Sequence, residues 1–356
     1  MSSPTPQILE TCSRIRSPDG LAMATAQARQ NQLTKPLGSL GRLETLSVQL
    51  AGITGQVLPQ VERKAVIVLA GDHGVVAEGV SAYPSEVTAQ MVLNFLRGGA
   101  AINVLARQAG ARVIIADVGV AADLPPHEHL LQRKIAHGTA NFLQRPAMTP
   151  DQAARSVEIG IEIVDAEAVQ GLDLVATGEM GIGNTTAASA IAAVYTGLRA
   201  NQVTGRGTGV DEKGFARKVQ VIEQGLALHR PDPSSPLDVL AAFGGFEIGA
   251  IAGVCLGAAA HRLPVLVDGF ISAAGALIAA ALCPAVKPYL IASHLSVERG
   301  HAVLWEILGR QPLLDMEMRL GEGTGAVLAM SLVEAACRTL AEMATFSSAG
   351  VSGPGD

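Results

Sequence analysis

The chain of 356 residues is poor in aromatics and in charge: Phe, Trp and Tyr make up 3% of it, with a single Trp, and Asp, Glu, Lys and Arg only 16%. It has no basic surplus, because 26 Lys and Arg face 32 Asp and Glu for a net charge of −6. That balance excludes a general nucleic-acid binder, which carries a basic patch or stripe. Disorder is excluded too, since 49% of the residues are hydrophobic and disordered chains combine few apolar residues with high net charge. Cysteine is sparse: Cys12, Cys255, Cys283 and Cys337 lie far apart without a CxxC pair. This is the pattern of free buried thiols in a reducing cytoplasm, not of a disulfide framework. The first twenty residues contain no apolar core of a secretory signal. The charge-free run Gly269–Val286 contains Pro284 and is rich in Ala, so a strand end followed by a buried helix explains it better than a membrane span. There is no internal repeat and no block of like charge. These absences lead us to expect a soluble, cytoplasmic protein that binds neither membrane nor nucleic acid.

What is present is Ala, Val, Leu and Ile alongside 39 Gly, a composition suited to a parallel sheet buried between small-residue helices. Five β-branched runs, Ala65–Ala70, Arg112–Asp117, Leu172–Thr177, Pro264–Asp268 and Lys287–Ala292, each end in small or polar residues and give way to helical patterns. They predict an α/β fold with a doubly wound parallel sheet. In that architecture ligands sit beyond the carboxyl ends of the strands, so the site is sought in the loops that follow them. The length fits about two domains, or one large α/β domain with an appendage. Residues 61–302 are expected to form the sheet core, and residues 1–60 with 303–356 a small helical domain built from both ends of the chain. The Ser-, Gly- and Pro-rich tail Ser347–Asp356 is expected to fray.

Three glycine-rich segments carry candidate chemistry. In Gly178–Thr186 (GEMGIGNTT), between a strand and an Ala-rich helix expected from Ala187, three glycines bring backbone N–H groups close to a ligand. Thr185 or Thr186 adds a hydroxyl at the helix start, which makes an anion cradle. A tight turn alone explains one glycine but not three followed by Asn-Thr-Thr, and the segment fits neither a Walker A loop nor GxGxxG. Gly205–Gly209 (GRGTG), with Lys213, Arg217 and Lys218 downstream, reads either as a phosphate or carboxylate site or as a surface loop and a solvated helix face. Arg319–Gly325 (RLGEGTG) encloses Glu322 between glycines ahead of an apolar helix. Partial burial would raise its pKa and make it a base near neutral pH; the alternative is a carboxylate that merely favours a helix N-terminus. Weaker signals are Gly71–Gly74 (GDHG), catalytic or a turn, and Gly38–Glu44, a helix start with Ser39 as its cap. His127-Glu-His129 lies in a loop after two prolines, and no second ligand cluster accompanies it, so no metal site is expected.

In order and spacing, KPLGSLGRLE (35–44), GDHGV (71–75), GEMGIGNTT (178–186), VDGF (267–270) and RLGEGTG (319–325) together resemble the nicotinate-nucleotide–dimethylbenzimidazole phosphoribosyltransferase family, enzymes of cobalamin lower-ligand synthesis. The resemblance runs from about residue 20 to 345. It implies a Rossmann-like core with a small helical domain and a homodimer. The reaction it implies converts nicotinate mononucleotide and 5,6-dimethylbenzimidazole into α-ribazole 5′-phosphate and nicotinate, with inversion at C1′ and without a cofactor. It also implies Glu322 as general base, with Glu179 supporting the base and the reacting ribose. Gly181, Gly183, Asn184, Thr185, Gly207, Lys218, Asp268 and Ser296 would contact the nucleotide phosphate and ribose. Tyr83, Met91, Met180 and Leu320 would form a flat apolar slot for the incoming base. Tyr83 and Met91 replace smaller or more polar residues of the best-studied members, so other benzimidazoles, adenine or phenolics are alternative acceptors.

The chemistry agrees with what the sequence lacks. Enzymes that use phosphoribosyl pyrophosphate hold the departing pyrophosphate with Mg²⁺ and an acidic pair, and no Asp-Asp pair occurs here. A nicotinate nucleotide carries a cationic pyridinium, so its leaving group departs neutral at nitrogen. What remains is positioning, which can supply ~7–11 kcal/mol of the barrier, and proton removal, worth about 10²–10⁴-fold. A Rossmann oxidoreductase is disfavoured because no glycine fingerprint with a following acidic residue accompanies the first strand. A non-catalytic nucleotide-binding protein is the other alternative, and Glu322 separates them, since a mere binder has no use for a base beside the sugar.

Overall fold

The computed structural model describes residues 2–353. Met1 and Pro354–Asp356 lie outside it, and with them the end of the tail expected to fray and the outermost residues of the expected helical domain. Helices α1 (Pro6–Arg14), α2 (Gly20–Gln30) and α3 (Arg42–Thr54) precede strand β1 (Lys64–Gly71). Then follow α4 (Glu86–Leu96), α5 (Ala101–Ala109), β2 (Ala111–Gly119), the short β3 (Leu130–Gln132), α6 (Pro150–Gln170) and β4 (Leu174–Met180). Next come α7 (Asn184–Thr196), α8 (Ala200–Val203), α9 (Glu212–His229), α10 (Pro236–Phe243), α11 (Phe246–Ala260), β5 (Val265–Val267), α12 (Phe270–Leu282) and β6 (Leu290–Ala292). The chain closes with β7 (His294–Leu295), α13 (Arg299–Leu308), β8 (Leu314–Asp315), α14 (Thr324–Glu342) and α15 (Phe346–Ala349).

Six strands form one parallel sheet in the order β3-β2-β1-β4-β5-β6. This is the doubly wound arrangement, with the strand order reversing between β1 and β4. Because side chains alternate along a strand, the central strands feed two cores. Ala65, Ile67, Leu69 and Val175 pack under α6, α7, α11 and α12 on one face. Val66, Val68, Leu174 and Ala176 pack under α3, α5 and α14 on the other. Burial on both faces explains why these runs read as continuous apolar stretches. Helices α2 and α3 pack on each other and on α14, while α1 lies against α6 and α11. By length and composition α14 is the one helix among the described residues that could cross a membrane; here Ala326, Val327, Ala329, Met330 and Val333 are buried in the second core.

The structure moves several expected boundaries. Strand β4 runs on through Gly178-Glu179-Met180, because Leu69 and Ala70 of β1 continue the ladder to Glu179 and Met180. Helix α7 begins at Asn184, not Ala187. The run expected as a strand over Lys287–Ala292 is a 3₁₀ turn over Pro284–Tyr289, and only Leu290–Ala292 is strand; Pro284 and Pro288 have no N–H to donate to a ladder. Helix α3 starts at Arg42 after Gly41 with no side-chain cap, so Ser39 does not cap it. Part of the expected frayed tail is ordered as α15, capped by Thr345. Strand β3 and the two-residue pair β7–β8, which forms a separate parallel sheet, were not expected.

Candidate active site

At the carboxyl ends of β4, β5 and β6 a cavity of about 480 Å³ opens, within the size range of small-ligand sites. Its walls come from three segments that follow strands: Gly181–Thr185 after β4, Gly269–Ile271 after β5, and His294–Glu298 after β6. The α8–α9 loop, α4 and the turn before α14 complete it. One part of the lining is apolar, with Tyr83, Val87, Met91, Met180, Ile182 and Leu320; Tyr83 and Leu320 stand at the mouth, each more than half exposed. The other is polar, with Asn184, Thr185, Gly207, Thr208, Ser296 and Glu298.

Two carboxyl groups face the cavity where these parts meet. Glu322 sits in a run of three left-handed residues, Gly321 (φ +85°), Glu322 (φ +61°) and Gly323 (φ +94°). Such a backbone costs a side-chain-bearing residue about 1–2 kcal/mol. The run lies against β4, where a Cβ on Gly178 would strike the Glu322 carbonyl, so that glycine is required by the close approach. The Glu322 side chain is buried, and its Oε2 accepts from Ile102 N (3.1 Å) at the start of α5. Burial raises its pKa above the ordinary glutamate value; the Ile102 N–H opposes this, and Asp268 adds to it. Glu179 accepts from the Asn184 amide and lies against Gly321. It is pushed well above the usual range, mainly by burial and then by the charges of Asp268 and Glu247.

Asp268 holds this arrangement from behind. Its carboxylate accepts from Gly323 N (3.2 Å) and Ala326 N (2.9 Å) at the start of α14, and its own N–H donates to Thr177 Oγ1 (3.1 Å). The α14 N-terminus is thereby tied to β4 and β5. Lys218 is fully buried behind Thr185, donating from Nζ to Thr185 Oγ1 at 2.6 Å. Burial pulls its pKa down to about 8, against the opposing pull of Glu298. Gly181-Ile182-Gly183 turns into α7, whose N-terminal end, with Asn184 and Thr185 on the cavity wall, favours an anion through the helix dipole. The Ile182, Asn184 and Thr186 amides are themselves taken, by Thr88 Oγ1, Gly181 O and Gly183 O.

Of the sequence-predicted residues, Glu322, Glu179, Gly181, Asn184, Thr185, Gly207, Ser296, Tyr83, Met91, Met180 and Leu320 line this one cavity. Gly183, Lys218 and Asp268 stand behind its wall. His73 of the GDHG segment does not reach the cavity; it pairs with Glu247 at 2.6 Å, both buried. Lys213 is exposed in α9, and Arg217 pairs with Glu78. His127 and His129 lie with their rings tilted against each other in the exposed loop, and no group of three or more His, Cys, Asp or Glu among the described residues is arranged to hold a metal. Sequence reasoning missed His294, Glu298, Thr208 and Arg319, which also line the cavity; only the position of His294 just past a predicted strand pointed toward it.

The family model described as "Phosphoribosyltransferase" matches residues 15–351. The nicotinate-nucleotide–dimethylbenzimidazole phosphoribosyltransferase of Roseiflexus sp. (strain RS-1) is 64% identical over 344 residues, 97% of this chain and 98% of that protein. The protein of the same name from Chloroflexus aggregans is 61% identical over 345 residues, with the same coverage of both chains. The crystal structure of CobT from Thermus thermophilus superposes with a TM-score of 0.91 at 52% identity, covering 94% of this chain and all of that one.

Proposed function

The chain belongs to the nicotinate-nucleotide–dimethylbenzimidazole phosphoribosyltransferase family, and from that membership we infer its activity: transfer of the phosphoribosyl group of nicotinate mononucleotide to 5,6-dimethylbenzimidazole, releasing nicotinate and forming α-ribazole 5′-phosphate. In this reading the benzimidazole enters the apolar slot of Tyr83, Met91, Met180 and Leu320. The nucleotide phosphate and ribose occupy the polar part, facing the N-terminal end of α7, Thr185, Gly207 and Ser296, with the Lys218 charge behind Thr185. Two planar rings held on opposite faces of C1′ favour in-line displacement, which inverts the anomeric carbon from β to α. Positioning of this kind can lower the barrier by ~7–11 kcal/mol.

The incoming benzimidazole attacks C1′ through its unprotonated ring nitrogen and must lose the N–H proton of its other nitrogen, and Glu322 is the group we assign to take it. Burial lifts Glu322 toward neutral pH, where a carboxylate is a more effective base. Glu179, as buried as Glu322 but beside the charges of Asp268, Glu247 and Glu322, is held further above the ordinary range. The two carboxyl groups thereby differ in how strongly they hold a proton, which suits them to different tasks. Glu179 then orients the ribose and carries the Asn184 amide. We further propose a cytoplasmic homodimer, in keeping with four free thiols and with the large apolar side chains exposed at the cavity mouth.

The observation that carries this reading is a buried, glycine-framed carboxylate facing both an apolar slot and an anion cradle in one cavity. The test is to incubate the protein with nicotinate mononucleotide and candidate bases and to follow released nicotinate. Release that depends on the added benzimidazole is expected. No release with any benzimidazole, adenine or phenolic acceptor overturns the assignment.

A further inference from the structure

One buried carboxylate in the cavity wall has no part in the chemistry above. Glu298, at the start of α13, is 6% exposed. Its Oε1 accepts from Gly207 N at 2.9 Å. Its Oε2 packs on Gly205 and has no hydrogen-bond donor. On the other side of the same glycine, Arg319 donates from Nη1 to Gly207 O at 3.0 Å. The Gly207 residue is thus held by its N–H and by its C=O, from two elements that the sequence places far from it. It is held directly over Thr185 and Lys218, close enough that a Cβ there would meet Thr185 Oγ1 and Lys218 Nζ. The Gly207 N–H, which the sequence offered as a phosphate donor, is already taken.

We propose that Glu298 is a positioning residue for the nucleotide: one carboxylate oxygen fixes the Gly205–Gly209 loop over Thr185, and its negative charge keeps the neighbouring Lys218 an ammonium ion for the phosphate. This rests on the transfer reading above, in which Lys218 serves the nucleotide phosphate. Among the charges around Lys218, Arg319 and Glu298 both grip Gly207 beside it, and Glu298 is the anion. Helices α7 and α8, packed on α9, carry no charged residue. On α9 and its loop, Arg217 turns to Glu78, Arg206 pairs with Glu212, and Lys213 is exposed to solvent. A lysine buried without a counter-charge loses its proton more easily, and the opposing pull of Glu298 on Lys218 has that sign.

Two substitutions separate the grip from the charge. Glu298→Gln keeps an oxygen to accept from Gly207 and removes the charge; Glu298→Asp keeps the charge and withdraws it from Gly207 by one methylene. The readout is KM for nicotinate mononucleotide, KM for the base, and kcat, from pH 6 to 9. In the wild-type protein KM for the nucleotide should climb as pH rises through about 8, where Lys218 loses its proton. In Glu298→Gln that climb should begin about one pH unit lower, a roughly fivefold higher KM near pH 8 that approaches about tenfold above it, with KM for the base unmoved. Glu298→Asp should keep the wild-type pH dependence while raising KM for the nucleotide throughout. Lys218→Met should abolish the climb in every background. Superimposable pH profiles for wild type and Glu298→Gln, a climb that survives Lys218→Met, or equal rises in KM for both substrates would each overturn the proposal. A wild-type protein that releases no nicotinate would instead remove the transfer reading on which it depends.

Discussion

At the scale of single residues, Glu322 decides the chemistry. Glu322→Gln keeps the shape and an acceptor for Ile102 N–H, so nucleotide binding should persist while turnover falls by about 10²-fold or more, the share of a lost general base. Single-turnover release of nicotinate measures it, and near-wild-type rates would take Glu322 out of the mechanism. The pH dependence has a definite sign. A base works only when ionised, and burial raises the Glu322 pKa. The acid limb of the rate profile should therefore lie above the range of an ordinary glutamate, with activity lost as pH falls through it. An acid limb at the ordinary glutamate position would mean that the carboxylate is solvated during turnover.

At the scale of elements, the α14 N-terminus is the piece that aims Glu322. Asp268, from the end of β5, accepts from the buried amides of Gly323 and Ala326. Asp268→Ala leaves those donors without partners and should destabilise the fold by about 1–3 kcal/mol, read from thermal or urea unfolding. Activity should fall further than stability does, because Glu322 immediately precedes the released turn. A variant as stable and as active as wild type would show that α14 holds its position without this cap. The same element explains what could be read in advance. Glu322 and Glu179 were legible because glycines crowd around them, and those glycines answer close approaches, Gly178 to the Glu322 carbonyl and Gly321 to the Glu179 carboxyl. The central strands were legible because burial on both faces leaves a continuous apolar run. Glu298 and His294 were not, since their neighbours read as an ordinary polar loop and their partners at 205–207 and 268 are supplied by the fold. Strands β7 and β8 are two residues each, too short for any periodicity, and the prolines at 284 and 288 hid a 3₁₀ turn inside an apolar stretch.

At the scale of the whole molecule, the cavity mouth is the unfinished part. Tyr83 and Leu320 are large, apolar and more than half exposed beside a site that needs to exclude water, and a second copy of the chain is the cover we propose. Light scattering on the eluting protein should give twice the mass of one chain, and a single-chain mass at assay concentration would refute the dimer. The interior is held more tightly. Helices α6 and α11 cross with their backbones in contact, so that a Cβ on Gly253 would run into the Val157 carbonyl. Every residue of α11 but the last is buried. The strand order β3-β2-β1-β4-β5-β6 sets a timetable for synthesis. When β1 leaves the ribosome, its neighbour β4 is still uncoded, with α4, α5, β2, β3 and α6 to come, and α11 emerges before β5, β6 and α12 exist to cover it. Non-local parallel pairing is slow and leaves greasy segments uncovered. The nascent chain must therefore keep α11 away from other chains until the segment through Ala292 has been translated, a natural point for chaperones to act.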